Sequence, residues 1–253
     1  MSNKREREKR REQRLQEETK VDAGERRTRL LQFGAGAVFL AIVAVVILIV
    51  VNGNSDSGGD AQNLEGVASV DSLVGGIPQK ELVLGDPKAK VELIEFGDLQ
   101  CPVCKSYSEE FLPQIIEGQV KDGKAKVSFR NFAFLGEQSA PAGAAALAAG
   151  NQGRGWQFLE LFYRNQGKEN SGYADDEFLT AVAKGAGVKD IAKWDEERKS
   201  SKLTGEVTAT TAEAQKLGFT GTPSFALQSP DGLELLGTPS APEEVEEAIE
   251  EAS

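Results

Sequence analysis

From Leu30 to Val51 the chain runs for 22 residues without a charged side chain, and Val38 to Val51 is apolar throughout. At about 1.5 Å per residue, such a helix would span roughly 33 Å, enough to cross a hydrocarbon core. The run divides two zones of opposite charge. Residues 1–29 carry 11 Lys/Arg against 7 Asp/Glu, a balance of +4, and residues 52–253 carry 18 against 33, or -15. Arg26, Arg27 and Arg29 precede the run directly, and only neutral and acidic residues follow it closely. The positive-inside rule then puts the N-terminus in the cytoplasm and the acidic body outside the cell membrane. A cleaved signal peptide fits less well, because the front region is long, the apolar run exceeds an h-region, and no A-x-A precedes Asn52-Gly53-Asn54. The expectation is a single-pass anchor. So acidic a body also argues against nucleic-acid binding, which needs basic surface to displace phosphate counterions.

The chain divides into four zones: a charged cytoplasmic arm over 1–29, the anchor over 30–51, a Gly/Ser/Asp/Asn-rich tether over 52–76, and a folded domain over 77–253. Within that domain Lys80 to Leu84 is a short strand, and Val91 to Phe96 a mostly apolar one of the kind covered on both faces. A helix then opens at residues 101–104 and runs to about Gly118, with a kink expected at Pro113. Lys126 to Phe132 completes a β-α-β unit. Helical signals fill about 139–218, with Asp175 and Asp176 as caps for Phe178 to Lys184. Ser224 to Gln228 and Leu233 to Leu236 form a hairpin about Pro230-Asp231-Gly232, and Pro242 to Ala252 closes the chain as a helix. The class is α/β: a mixed sheet with an inserted helical block, preceded by one transmembrane helix.

The only two cysteines stand in Cys101-Pro102-Val103-Cys104, and the chain has no histidine. A zinc site needs about four Cys or His ligands, which two thiolates cannot supply. A static disulfide over so small a loop would stabilise little. Inert free thiols are unexpected outside the cytoplasm, where disulfides persist. A cycling dithiol/disulfide accounts best for the spacing. Cys101 at a helix N-cap would face unpaired backbone N–H groups and the positive dipole end, which favour a thiolate. Pro102 takes the first helical position, where its missing N–H costs nothing. Cys104, one turn further in, is the resolving thiol.

With those residues in view, the block VELIEFGDLQCPVC (91–104) and GFTGTPSF (218–225) resembles the DsbA-like branch of the thioredoxin superfamily. The likeness covers roughly Lys80 to Ala252, with strand, thiol pair, helical insertion and Thr222-Pro223 in the family's order. It implies a thioredoxin-like fold and a thiol–disulfide oxidoreductase. It further implies that Pro223 is cis and lies against the thiol pair. Thr222, Pro223, Pro102 and Val103 are then the substrate-facing residues, with Thr222 placed to touch the Cys101 sulfur. Glu95, six residues before Cys101, takes the place of the family's buried acid, with a raised pKa and a proton-relay role toward Cys104. Asp98 is expected only to shape the turn. One departure is Val103, where strongly oxidising members carry histidine in C-P-H-C; a milder oxidant is the consequence.

The expected activity is extracytoplasmic oxidation of cysteine pairs in secreted proteins, with Cys101, Cys104 and Glu95 catalytic. An integral-membrane, quinone-linked partner would reoxidise the pair, and no metal or organic cofactor is called for. A reductase or isomerase on the same fold, and a redox-inert binding module with a structural disulfide, are the alternatives. Trp156, Phe158 and Phe162, at helical spacing, read as core rather than as a substrate surface.

Overall fold

A computed structural model describes residues 64–253; the expected arm, anchor and most of the tether lie outside the described residues. No helix among the described residues is long and apolar enough to cross a membrane. The first element is a helix, α1 (Val67–Val74), with Val70, Leu73 and Val74 buried. It corrects the expected tether over 52–76 within its last part: local composition is Gly/Ser/Asp-rich, but Val70, Leu73 and Val74, with the partly buried Val67, share one helical face.

Among the described residues, six strands form one sheet in the order β1-β2-β4-β3-β5-β6. They are β1 (Gln79–Lys80), β2 (Val83–Leu84), β3 (Val91–Gly97), β4 (Ala125–Asn131), β5 (Ser224–Ser229) and β6 (Gly232–Gly237). In this sheet β3 and β4 pair in parallel, and the other neighbours are antiparallel. The expected strand at 80–84 is two short pieces broken at Glu81, whose φ of 54° is left-handed and cannot continue a ladder.

Residues 102–120 are helical without a break. The run is α-helical at α2 (Pro102–Ser106) and α3 (Leu112–Ile115), and π-helical at Tyr107–Phe111 and Ile116–Val120. Pro113 has no N–H to give, and the wider turn before it absorbs the lost bond, with Leu112 N–H donating five residues back to the Tyr107 carbonyl.

The insertion is five helices: α4 (Ser139–Gly150), α5 (Gly155–Arg164), α6 (Asp176–Gly185), α7 (Ile191–Arg198) and α8 (Ser201–Lys216). The side chain of Asp175 caps α6 through the Phe178 N–H at 2.9 Å. The Ala-rich face of α4 is wholly buried and lies close to the sheet; a Cβ at Gly143 would stand 2.4 Å from Asn131 Oδ1. Trp156, Phe158 and Phe162 are core, as expected. The Trp156 indole satisfies its N–H on the Leu82 carbonyl at 3.0 Å, and each buried phenylalanine contributes about 1.5–3 kcal/mol. A last helix, α9 (Pro242–Glu251), buries Val245 and Ile249.

The β3 pleat divides its side chains between two faces of the sheet. Ile94 and Phe96 face a small cluster with Phe132, Ala214 and Ala226. Leu93 belongs to the larger core, which also holds Cys101, Cys104, Phe111 and Phe129. Alternation turns Glu95 toward that second face.

Candidate active site

Cys101 is the N-cap of α2, with φ -73° and ψ 121°, and the Cys104 N–H donates to its sulfur at 3.4 Å. Its thiol form donates to the Thr222 carbonyl at 3.4 Å. That carbonyl belongs to a cis Thr222-Pro223 bond, as the resemblance implied. The chain thus brings together positions 121 residues apart.

The Cys101 thiol is lowered from 9.0 to about 6. The hydrogen bond with Cys104 does most; burial opposes it, while Thr222 and the N–H groups of Cys104 and Val103 add to the lowering. Cys104 is pushed well above its ordinary value by burial, then by Cys101 and by the Glu95 charge. At neutral pH the reduced pair is therefore a Cys101 thiolate beside a Cys104 thiol. Cys101 keeps 6% exposure and Cys104 none, so the attacking sulfur is also the reachable one. Pro102 and Val103 are exposed beside it, Val103 at 48%.

Alkylation of reduced protein by iodoacetamide will track this charge. The rate at Cys101 will rise through about pH 6 and flatten by neutrality, whereas an unperturbed cysteine titrates at about pH 8.5. A midpoint at the unperturbed value would mean that these hydrogen bonds do not stabilise the thiolate.

Glu95 is 1% exposed and neither carboxyl oxygen has a hydrogen-bond partner. Burial, then Glu160, then Cys101 raise it to about 8, so it is a neutral acid at pH 7. Glu92, three residues earlier and on the other face, is half-buried and accepts from Ser128 Oγ at 2.7 Å. Gly97 makes the space: a Cβ there would stand 3.3 Å from Glu95 Oε1 and 2.5 Å from the Phe129 ring.

Asp98 shapes the turn, as expected, and does more. Its Oδ1 accepts from the Gln100 N–H at 2.9 Å, and its Oδ2 from the Phe134 and Leu135 N–H groups at 2.9 and 3.0 Å. The loop after β4 is thereby tied to the approach to Cys101. Two further residues at the site are not evident from the sequence. Gln166 donates to the Leu99 and Cys101 carbonyls at 2.7 and 3.1 Å. Glu160 on α5 is 1% exposed, and burial lifts it to about 7 against the Ser108 hydroxyl and the Arg164 charge. Nothing local marks either; both act from the insertion across a fold only the tertiary structure reveals. Among the described residues no group of His, Cys, Asp and Glu is placed to hold a metal ion.

The geometry supports thiol–disulfide exchange: a low-pKa sulfur at a helix N-terminus that keeps a small exposed area, a second, fully buried thiol one turn behind it, and a buried acid whose charge acts on that thiol. A family model described as Thioredoxin matches residues 78–251. A Bacillus cereus protein named "Probable disulfide bond formation protein D" is 31% identical over 144 residues, covering 56% of this chain and 67% of that protein. The crystal structure of oxidised BdbD from Bacillus subtilis superposes with a TM-score of 0.61 at 24% identity, covering 71% of this chain and 97% of that one. That of alpha-DsbA1 from Wolbachia pipientis gives 0.54 at 20%, covering 72% and 95%. Both are likenesses of fold. With the thiol pair, the insertion and the match over 78–251 in agreement, the chain belongs to the thioredoxin family and is a DsbA-like thiol–disulfide oxidoreductase.

Proposed function

We propose that this oxidoreductase works outside the cytoplasm, anchored by residues 30–51, and introduces disulfides into cysteine-containing secreted proteins through Cys101 and Cys104. The observation carrying the direction is the stabilised Cys101 thiolate, which exists only in the reduced enzyme. Moving its pKa from 9.0 to about 6 favours the reduced state at pH 7 by about 1.4 kcal/mol, or about 30 mV toward a stronger oxidant. The folded value lies below the unfolded one. This contribution to the reduced protein's stability is therefore complete above pH 9.0 and lost as pH falls through about 6.

A substrate thiolate attacks Cys101 Sγ, the Cys101–Cys104 bond breaks, and Cys104 leaves as a thiolate that takes a proton from Glu95. A second substrate thiolate then attacks the substrate sulfur of the mixed disulfide and releases the Cys101 thiolate. The substrate loses two electrons and the enzyme gains them; a quinone-linked membrane partner would remove them. Exposed Pro102 and Val103 and the Thr222–Pro223 edge would receive the extended substrate chain. The name of the Bacillus cereus relative supports the oxidising direction. So does the preference of the site for charge on Cys101.

Equilibrating the full-length chain against glutathione buffers tests this. A potential of about -120 to -180 mV, with oxidation of a reduced dithiol peptide, is expected of an oxidant, and a value of about -270 mV would make it a reductase.

A further inference from the structure

Residues 98–101 carry the chain from the end of β3 into α2, and the insertion holds this turn by its backbone. The Asp98 carbonyl accepts from the Cys101 N–H at 2.9 Å and from the Tyr163 hydroxyl at 3.3 Å. One side-chain amide, that of Gln166, donates to the Leu99 carbonyl at 2.7 Å and to the Cys101 carbonyl at 3.1 Å. Gln100 between them is buried; its Nε2 donates to Ser139 Oγ at 3.0 Å and its Oε1 accepts the Asn170 N–H at 3.1 Å. Gln166 is placed for its part by the end of α5, where its own N–H donates back to the Tyr163 carbonyl at 3.1 Å.

These bonds bear on the sulfur through one torsion. Cys101 has the extended ψ of an N-cap, 121°, and that value aims its side chain at the N–H groups of the first turn of α2. Rotating the Cys101 carbonyl changes ψ and swings that turn away from Sγ. The Cys104 N–H lies 3.4 Å from Sγ, and such a bond weakens steeply as its angle bends. The Lys105 N–H also reaches the Cys101 carbonyl, at 3.1 Å, but it belongs to α2 and moves with it. Gln166 is the tie from outside the helix. Being a neutral amide, it holds the carbonyls without adding a charge beside the thiolate.

We propose that Gln166 is a positioning residue of thiol–disulfide exchange: by bridging the Leu99 and Cys101 carbonyls it holds Cys101 in its N-cap geometry. The inserted helical block thereby sets the reactivity of a sulfur it does not hydrogen-bond. Either direction of electron flow uses the same clamp. The groups whose charge bears on Cys101 are Cys104 from its own helix, Glu95 from β3 and Tyr163 from α5, and replacing Gln166 by an uncharged residue leaves all three in place.

Asn165, the neighbouring residue, supplies a control of the same chemistry. Its Oδ1 accepts the Glu65 N–H at 2.9 Å, and its Nδ2 donates to the Glu65 and Leu161 carbonyls at 3.1 and 2.8 Å. It ties the same end of α5 to the start of the domain and makes no bond to 98–101.

The test compares full-length wild type with Gln166→Met, which keeps the length of the side chain and removes its donors, and with Asn165→Ala. Iodoacetamide alkylation of the reduced protein is followed across pH, and the equilibrium with glutathione is measured at pH 7. In Gln166→Met the alkylation midpoint should move from about 6 toward about 7. The rate at pH 6 then falls about fivefold, and the glutathione equilibrium shifts about fivefold toward the enzyme disulfide. Asn165→Ala should keep the wild-type midpoint and equilibrium. A wild-type midpoint in Gln166→Met, whatever its melting temperature, would overturn the proposal. So would an equal movement in both variants, which would reduce the effect to a loosened end of α5. Should Gln166→Met not fold, nuclear magnetic resonance of the reduced wild type decides. The Gln166 side-chain amide signals must titrate together with the Cys101 sulfur while those of Asn165 stay still, and a Gln166 amide that does not respond refutes the clamp.

Discussion

Cys101→Ala will reduce disulfide exchange to background, a loss on the order of a thousandfold or more, because nothing else in the site can attack a disulfide or carry one. Cys104 cannot substitute: it has no exposed surface, and burial and the neighbouring acid hold it as a thiol. Cys104→Ala separates the two halves of the cycle. It keeps the reactive sulfur in place and should form mixed disulfides that no internal thiol releases. Gel-shift trapping with a peptide disulfide will show a stable adduct for Cys104→Ala and none for Cys101→Ala. Equal turnover by Cys101→Ala and wild type would end the catalytic account. The Cys101 sulfur in Cys104→Ala should also ionise at higher pH than in wild type, since the leading cause of its acidity is the bond with Cys104.

Asp98→Ala is expected to be the most destabilising change near the site. Its carboxylate accepts three buried or half-buried backbone N–H groups, from Gln100, Phe134 and Leu135. Leaving a donor unpaired costs about 1–3 kcal/mol, and because the Phe134 and Leu135 groups are only partly buried and can recruit water, the expected loss is about 3–6 kcal/mol rather than the full sum. Against a usual domain stability of about 5–15 kcal/mol, that is a large fraction. Thermal melting should fall by about 10–20 °C for a domain of this size. Asn fares little better, since its NH₂ would point at N–H donors on one side or the other. A melting point within a few degrees of wild type would show that water takes over those bonds and that the loop after β4 does not depend on the acid.

The parts of this molecule legible in its sequence are those set by neighbours in the chain. An apolar strand at 91–97, proline at the first position of a helix and the thiol one turn later are local features, and they stand where the residues put them. The five-helix insertion is readable for the same reason, through its caps and its 3.6-residue spacing. Residues that meet only in space are not. Resemblance alone, and no local signal, pairs Thr222 with Cys101. Glu95 and Glu92 look alike in VELIEF; the pleat sends one inward and the other toward Ser128 and Lys126. Glu160 and Gln157 sit amid Trp156, Phe158 and Phe162, where polar residues read as the wet face of a helix, and over Gly155 to Tyr163 there is none: all nine are buried. The helix at Val67–Val74 is hidden by averaging, because its glycine and serine neighbours outweigh four well-spaced apolar side chains.

That early helix shortens the free chain that would join the proposed anchor to the folded domain. Val70, Leu73 and Val74 belong to the main core, so the folded body begins about a dozen residues sooner than its glycine content suggests. In the anchored arrangement proposed above, only 52–63 are left between bilayer and catalyst, and even drawn taut they reach no more than about 40 Å. Clients would have to come to a catalyst kept close to the lipid, near any electron acceptor embedded there.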